Sequence, residues 1–309
     1  MNGIDGVKVG HAQDEAARTG CTVILCEAGA VGAVDVRGGG PATRETDLLR
    51  PENTVDAVNA VVLSGGSAFG LDAAGGVMRW LEERGCGFDA GVCRVPIVCG
   101  ASLFDLGVGR ADVRPDAAMG YAACEAAVPL EEAADGAIGA GTGATVGKLA
   151  GPERMMPSGV GIASLGAGGL VVAAISAVNA VGTVVDADGA PLAGVRSADG
   201  SRVLAPDEAL DELASLLVET GEPPEAANPV ANTTITCVVT NARLTKAQAT
   251  KVASMAHDGY ARAINPVHTT MDGDTVFVLA TGEVEISVDP VGILAADAVA
   301  IAIRRAVAR

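Results

Sequence analysis

Only seven of the 309 residues are aromatic (one Trp, two Tyr, four Phe), although 49% of the chain is hydrophobic. The core such a chain buries must therefore be built from Ala, Val, Leu and Ile, which fill space densely only where backbones come close together. The 41 glycines allow close approach and tight turns. This favours a dense interior over long exposed helices. The same scarcity leaves almost nothing from which to build a stacking platform for single-stranded nucleic acid. With 21 basic against 38 acidic residues, the net charge of −17 repels phosphate backbones and anionic membranes. Neither nucleic acid nor membrane is expected as a partner.

No stretch approaches 18 uninterrupted apolar residues; the longest apolar run, near Leu170 to Val178, is broken by Ser176. The first residues, Met1 to Gly6, have neither a basic region nor an apolar one, so no secretory signal is read and a cytoplasmic protein is expected. The seven cysteines (Cys21, Cys26, Cys86, Cys93, Cys99, Cys124 and Cys237) are odd in number, with no C-x-x-C pair and only three histidines. That pattern suggests neither a disulfide framework nor a zinc site, and no metal or cofactor is expected.

Short apolar runs separated by glycine-rich breaks read as strands over Cys21–Leu25, Val31–Val36, Val58–Ser64 and Val95–Cys99. Leu71, Ala74, Val77, Met78 and Leu81 recur at helical spacing over 71–83. Further strands are read at Gly159–Ala163 and Leu170–Ala177, then a hairpin through Val181–Val185 and the turn Asp186–Gly189. A helix is placed around Glu208–Leu217, and the proline-rich acidic stretch 221–229 reads as an exposed linker. Directly after it, Thr233–Thr240 is β-branched, as a core strand should be. Lys246–Ala263 is amphipathic, Thr275–Ala280 strand-like, and Ala295–Ala308 helical. Strands and helices alternate without a repeat of fixed period, which gives an α/β or α+β class.

Several motifs imitate known sites and fall short. Gly65-Gly66-Ser67-Ala68-Phe69 nearly forms a nucleophile elbow, but Phe69 stands where the second glycine must be, so Ser67 reads as a strand-to-helix turn. Residues 139–149 resemble a phosphate loop with Thr142 in place of its first glycine and Leu149 in place of the metal-binding hydroxyl. What remains is a glycine-rich segment delivering Lys148, either a surface lysine or a positioned charge. His257, like His11 and His268, reads as a structural histidine rather than a base. Asp186 and Asp188 read as a hairpin turn rather than a calcium loop. Asp272-Gly273-Asp274 is either a solvated turn or a pair of carboxylates converging on one atom.

The join Asn232-Thr233, between linker and strand, carries more chemistry. If that peptide bond were cut, Thr233 would gain a free α-amine beside its hydroxyl, and an amine of pKa about 8 is a usable general base at neutral pH.

Here a family resemblance enters. The segments Gly6–His11, Asp35–Gly39, Thr43–Asp47, Leu63–Leu71, Gly141–Ala144, Asn179–Gly182, Thr240–Ala242 and Asp272–Asp274 together resemble the P1 family of self-processing, DmpA-type peptidases and amidases. The likeness spans nearly the whole chain. That family includes the L-aminopeptidase/D-esterase, the β-aminopeptidases and the nylon-oligomer (6-aminohexanoate-oligomer) endohydrolase. The resemblance implies a four-layer αββα sandwich of the amino-terminal-nucleophile-like type shared with ornithine acetyltransferases. It also implies one domain, 1–309, cleaved by itself into an α fragment 1–232 and a β fragment 233–309, with the αβ units assembled into tetramers or larger rings.

Carried over by position, the resemblance makes Asn232 the residue before the cut and Thr233 the nucleophile. Lys148, Asp272 and Asp274 match the lysine and acidic pair of the nylon-oligomer branch, and Asn179 its oxyanion asparagine. This favours the positioned reading of Lys148. Threonine at the cut with Asp-Gly-Asp points to the oligoamide side of the family, because the aminopeptidase branch uses serine. Phe104, placed by the resemblance among the substrate-binding residues, stands where family members carry a tyrosine whose hydroxyl could hold substrate or oxyanion. The expected function is amide hydrolysis on small peptides or oligoamides. The alternatives are acetyl transfer of the ornithine type and an uncleaved, non-catalytic homologue.

Overall fold

The computed structural model describes residues 3–220 and 232–308. Its main sheet contains β1 (Val7–Asp14), β2 (Thr19–Val36), β3 (Ala42–Arg44), β4 (Ala57–Ser64), β5 (Val98–Ser102), β6 (Val160–Ala167), β7 (Leu170–Asn179), β8 (Thr233–Ala242) and β9 (Thr275–Val284). The strands run in the order β6-β7-β8-β9-β2-β4-β5-β3, with β1 paired to β2. Neighbours are antiparallel except β8–β9 and β4–β5.

β2 joins two apolar runs that the sequence separates. Its pairing with β4 slips between Leu25 and Ala30, and Gly29 in that stretch has φ +86°, a conformation a side chain would oppose. An irregularity of this kind bends a strand and lets it serve two neighbours. Residues 19–26 of β2 pair with β1, and residues 31–36 pair with β9.

Period-2 alternation gives the central strands two buried faces. Val172, Ala174, Val238, Val276 and Val278 face the helices α4 (Lys246–Ala263) and α5 (Val288–Arg305), meeting Val252, Ala256, Tyr260, Ala295 and Val299. The alternate residues Ile175, Ile235, Cys237, Val239 and Phe277 point the other way, against Val9, Ile24, Val61, Leu63 and Cys99. On the far side Val23, Leu25, Ala60 and Val62 pack on α1 (Ala73–Glu82) and α2 (Ala117–Glu125) through Val77, Trp80, Leu81 and Cys124. Helices, sheet, sheet and helices thus form the four αββα layers the resemblance implied. α3 (Pro206–Thr220) lies outside them, over a small cluster of Leu149, Val181, Val195 and Leu204.

Small residues set the spacing. A Cβ on Gly76 would overlap the Ala117 carbonyl, and one on Gly120 the Ala73 carbonyl, so α1 and α2 cross with backbones in contact.

Two helices differ from the sequence reading. α2 was not expected: its Ala-rich sequence has little amphipathic contrast, and it starts on Asp116, whose carboxylate accepts from Met119 N at 2.9 Å. α5 begins at Val288 rather than Ala295, because Pro290 lies in its first turn, where no intrahelical N–H bond is lost. The stretch read as a linker, 221–229, lies outside the described residues. Among the described residues no helix is long and apolar enough to cross a membrane.

Candidate active site

One end of the sheet brings together the end of β7 and the starts of β8 and β9. In the ladder Asn179 lies opposite Thr233, and Ile235 opposite Thr275. A parallel bridge between Asn232 and Asp272 extends the β8–β9 pairing to the residues ahead of both strands. The segment 37–40 straps the turn between them: Arg37 N and Gly38 N donate to Asp274 O, and Gly40 N to Asp272 O at 2.9 Å.

Thr233 is buried, and its hydroxyl donates to the carbonyl of Asn232, the residue before it. That carbonyl also accepts from Gly273 N at 2.9 Å. The hydroxyl therefore lies against the peptide that would be cut, and a backbone N–H already points at the oxygen that would take up charge.

Lys148 is not a surface lysine. Its ammonium donates to Asn179 O at 2.9 Å and Asn179 Oδ1 at 2.8 Å. Burial pushes its pKa down to about 7, opposed by the charges of Asp272 and Asp105. Asn179 Oδ1 also accepts from Thr145 N at 3.0 Å, and its Nδ2 donates to Phe104 O at 2.9 Å. With its oxygen fixed by donors and its nitrogen by an acceptor, the amide has one orientation, and the backbone of Phe104 helps to set it. Phe104 itself brings no hydroxyl to the site.

The Asp-Gly-Asp turn is buried, not solvated, with both carboxylates 1% exposed. Asp272 Oδ2 accepts from Thr269 N at 3.0 Å and Thr269 Oγ1 at 2.6 Å, and Oδ1 from Val181 N at 3.4 Å. Burial, and then the charge of Asp274, raises its pKa to about 6. Asp274 Oδ1 accepts from Thr234 N at 2.8 Å, and Oδ2 from His268 N at 3.1 Å and His268 Nδ1 at 2.8 Å.

The imitative motifs are structural. Ser67 takes φ +55° as an elbow would, but the three histidines are engaged elsewhere, with Thr22, Asp35 O and Asp274. The amides of the loop resembling a phosphate site are spent internally: Ala140 N on Thr22 Oγ1, Gly141 N on Ile138 O and Thr142 N on Gly139 O. Asp186 Oδ1 accepts from Asp188 N and Ala190 N, closing its hairpin.

Sequence reasoning missed two residues. His268 was read as merely structural, though it bonds Asp274. Asp105, next to Phe104, is a buried carboxylate that accepts from Thr19 Oγ1 and Gly66 N, both at 2.7 Å, and burial raises its pKa. The only sequence signal for Asp105 is an acid within the apolar run Ala101–Leu106.

A model of peptidase family S58 matches residues 2–309. An uncharacterized aminopeptidase of Mycobacterium tuberculosis (strain ATCC 25618 / H37Rv) is 46% identical over 295 residues, covering 92% of this chain and 81% of the relative. A 6-aminohexanoate-oligomer endohydrolase of Paenarthrobacter ureafaciens is 35% identical over 289 residues, covering 92% and 76%. Among solved structures, the L-aminopeptidase D-Ala-esterase/amidase of Ochrobactrum anthropi, described as a variant of the Ntn hydrolase fold, superposes with a TM-score of 0.69 at 18% identity, covering 98% of this chain and 84% of that one. A Burkholderia sp. β-aminopeptidase gives 0.68 at 21%, with the same coverage. These two show the fold, and the match along the whole sequence shows the family: the chain belongs to peptidase family S58.

Proposed function

We propose that this chain is a self-processing amide hydrolase whose nucleophile is Thr233, freed by cleavage after Asn232. Amide hydrolysis rests on the family and on relatives named as aminopeptidase and oligoamide endohydrolase. The observation that supports the nucleophile is the placement of the Thr233 hydroxyl on the Asn232 carbonyl, under the Gly273 N–H and opposite Asn179.

In processing, Thr233 Oγ1 adds to the Asn232 carbonyl carbon, and Gly273 N–H stabilises the oxyanion. The C–N bond breaks, the nitrogen takes up the proton that the hydroxyl gave up, and an ester links Asn232 to the Thr233 side chain. Water then hydrolyses the ester, leaving a carboxylate on Asn232 and a free amine on Thr233.

In turnover the amine accepts the hydroxyl proton as Oγ1 attacks a substrate amide. It returns that proton to the leaving amine, and water releases the acyl group. Asn179, held by Lys148 and the Phe104 carbonyl, is assigned to the substrate oxyanion; losing one such donor costs about 2.7–4 kcal/mol at the barrier. Asp274 orients the segment that carries the nucleophile through Thr234 N, and Asp272, held by Thr269, fixes the turn that brings Gly273 N to the Asn232 carbonyl. The substrates are small peptides or oligoamides.

Intact-mass measurement with amino-terminal sequencing tests the reading: fragments 1–232 and 233–309, the second beginning Thr-Thr-Ile-Thr, are expected. Thr233→Ala should remain one chain and hydrolyse nothing. A cut at any other bond overturns the assignment.

A further inference from the structure

We propose that His268 is a positioning residue for the nucleophile, holding Asp274 so that Asp274 can hold the peptide that follows Thr233. This rests on the reading of Thr233 as nucleophile, and it extends the site to a residue outside the reacting groups.

Asp274 is the only carboxylate bonded to the backbone of β8 beside Thr233 among the described hydrogen bonds, through Thr234 N. Its other oxygen takes two donors, and both belong to His268, the backbone N–H and ring Nδ1. To aim both at one oxygen, His268 adopts φ +56°, a left-handed conformation that a Cβ opposes. A turn with no such task would favour glycine or asparagine at that position.

The ring has no visible role as an acid or base. With Nδ1–H given to Asp274, Nε2 is buried and has no partner among the described residues. The imidazole is fixed instead by packing, 4.7 Å edge-on from the ring of His257 and 5.5 Å from that of Tyr260. Tyr260 grips the same stretch from below: its Oη lies 3.1 Å from the carbonyls of Thr234 and Thr275 and 2.8 Å from Thr236 Oγ1. The N–H of Thr234 is thus held through Asp274 and His268, and its C=O by Tyr260. Thr233 begins its strand with the next residue clamped on both sides. A nucleophile so held is pre-oriented, and small misplacements of such a group cost up to about a hundredfold in rate.

Two substitutions separate positioning from packing. His268→Phe keeps the ring volume and loses the donor; His268→Asn loses the volume, tolerates φ +56°, and places an N–H near the site of Nδ1. If His268 positions Asp274, the Asn variant processes and turns over within about threefold of wild type. The Phe variant then slows at least about tenfold in both, with kcat lowered and KM within about twofold. Wild-type rates for His268→Phe, or a His268→Asn variant as slow as Phe, overturn the proposal. Should the Phe variant not fold, a folded His268→Gly variant replaces it: added imidazole is expected to restore its processing, and slow processing that imidazole leaves unchanged overturns the proposal, as does wild-type speed without it. Thr233→Ala, run in parallel, keeps the two readings apart. Cleavage of that variant between 232 and 233 refutes the nucleophile, whereas an uncut Thr233→Ala beside a fast His268→Phe refutes only the role of His268.

Discussion

Lys148 and Asp272 are held at pKa values of about 7 and about 6, so both are charged together only in the narrow interval between. Below it Asp272 takes up a proton; above it Lys148 loses one. If the ammonium must fix Asn179 and the carboxylate must stay ionised, the rate of processing rises through about pH 6 and falls through about pH 7. A profile that stays flat from about pH 5 to 8 would remove the pair from the mechanism. Gly273 gives a second test, because a Cβ there would stand 2.8 Å from Thr233 Oγ1 and 2.9 Å from Gly40 O. Gly273→Ala should displace the hydroxyl and slow processing by about tenfold or more, without unfolding the protein. Wild-type cleavage in a time course on a denaturing gel would show that the hydroxyl has room to spare. Of this site, the residues alone singled out the Asn232-Thr233 join and left the Asp-Gly-Asp turn open between solvated turn and convergent carboxylates, whereas Asn179 and the role of the turn came only through the family resemblance. His268 and Asp105 were not, because their roles come from partners brought to them by folding: Asp274 across a turn, and Thr19 and Gly66 on other segments.

Elements were legible where pattern and packing agreed. α4 was bounded correctly at Lys246 and Ala263, with a capping box between Thr245 and Gln248 reinforcing its amphipathic face. α2 was missed because Ala, Gly and Cys can face a core without any contrast against the other side, and what holds it is the contact with α1. Hence Gly120→Ala, although it raises helix propensity, should destabilise the protein by about 1–3 kcal/mol by forcing α1 and α2 apart. Chemical denaturation checks the sign, and a gain in stability would mean that the crossing is loose. α4 also carries His257, buried with Nε2 at 3.0 Å from Asp35 O and its pKa pushed down to about 4 by burial. The unfolded chain takes up that proton first, near pH 6.5. The stability gained from keeping His257 neutral is therefore whole above about pH 6.5 and is lost as pH falls towards 4, up to about 3 kcal/mol. His257→Gln should lose less stability than wild type between about pH 7 and 4.5, and equal losses in paired denaturation curves would refute the assignment.

At the scale of the molecule, β8 lies inside the sheet between β7 and β9, and the proposed cut falls at its first residue. Everything after the cut, namely β8, α4, β9 and α5, supplies one helical layer and two central strands. The fragments 1–232 and 233–309 should therefore stay together through gel filtration in native buffer and part only in denaturant. Cutting the chain also changes how it can fold. The intact precursor closes this sheet as one chain, whereas the processed protein would have to reunite two chains and thread a strand between neighbours already in place. Diluted from denaturant, Thr233→Ala should refold in high yield, independent of concentration, and the processed enzyme poorly and in proportion to its concentration. Unfolding of a protein so cut would then show hysteresis: its durability would be set by how slowly it opens, and once open it could not retrace the path by which it was made.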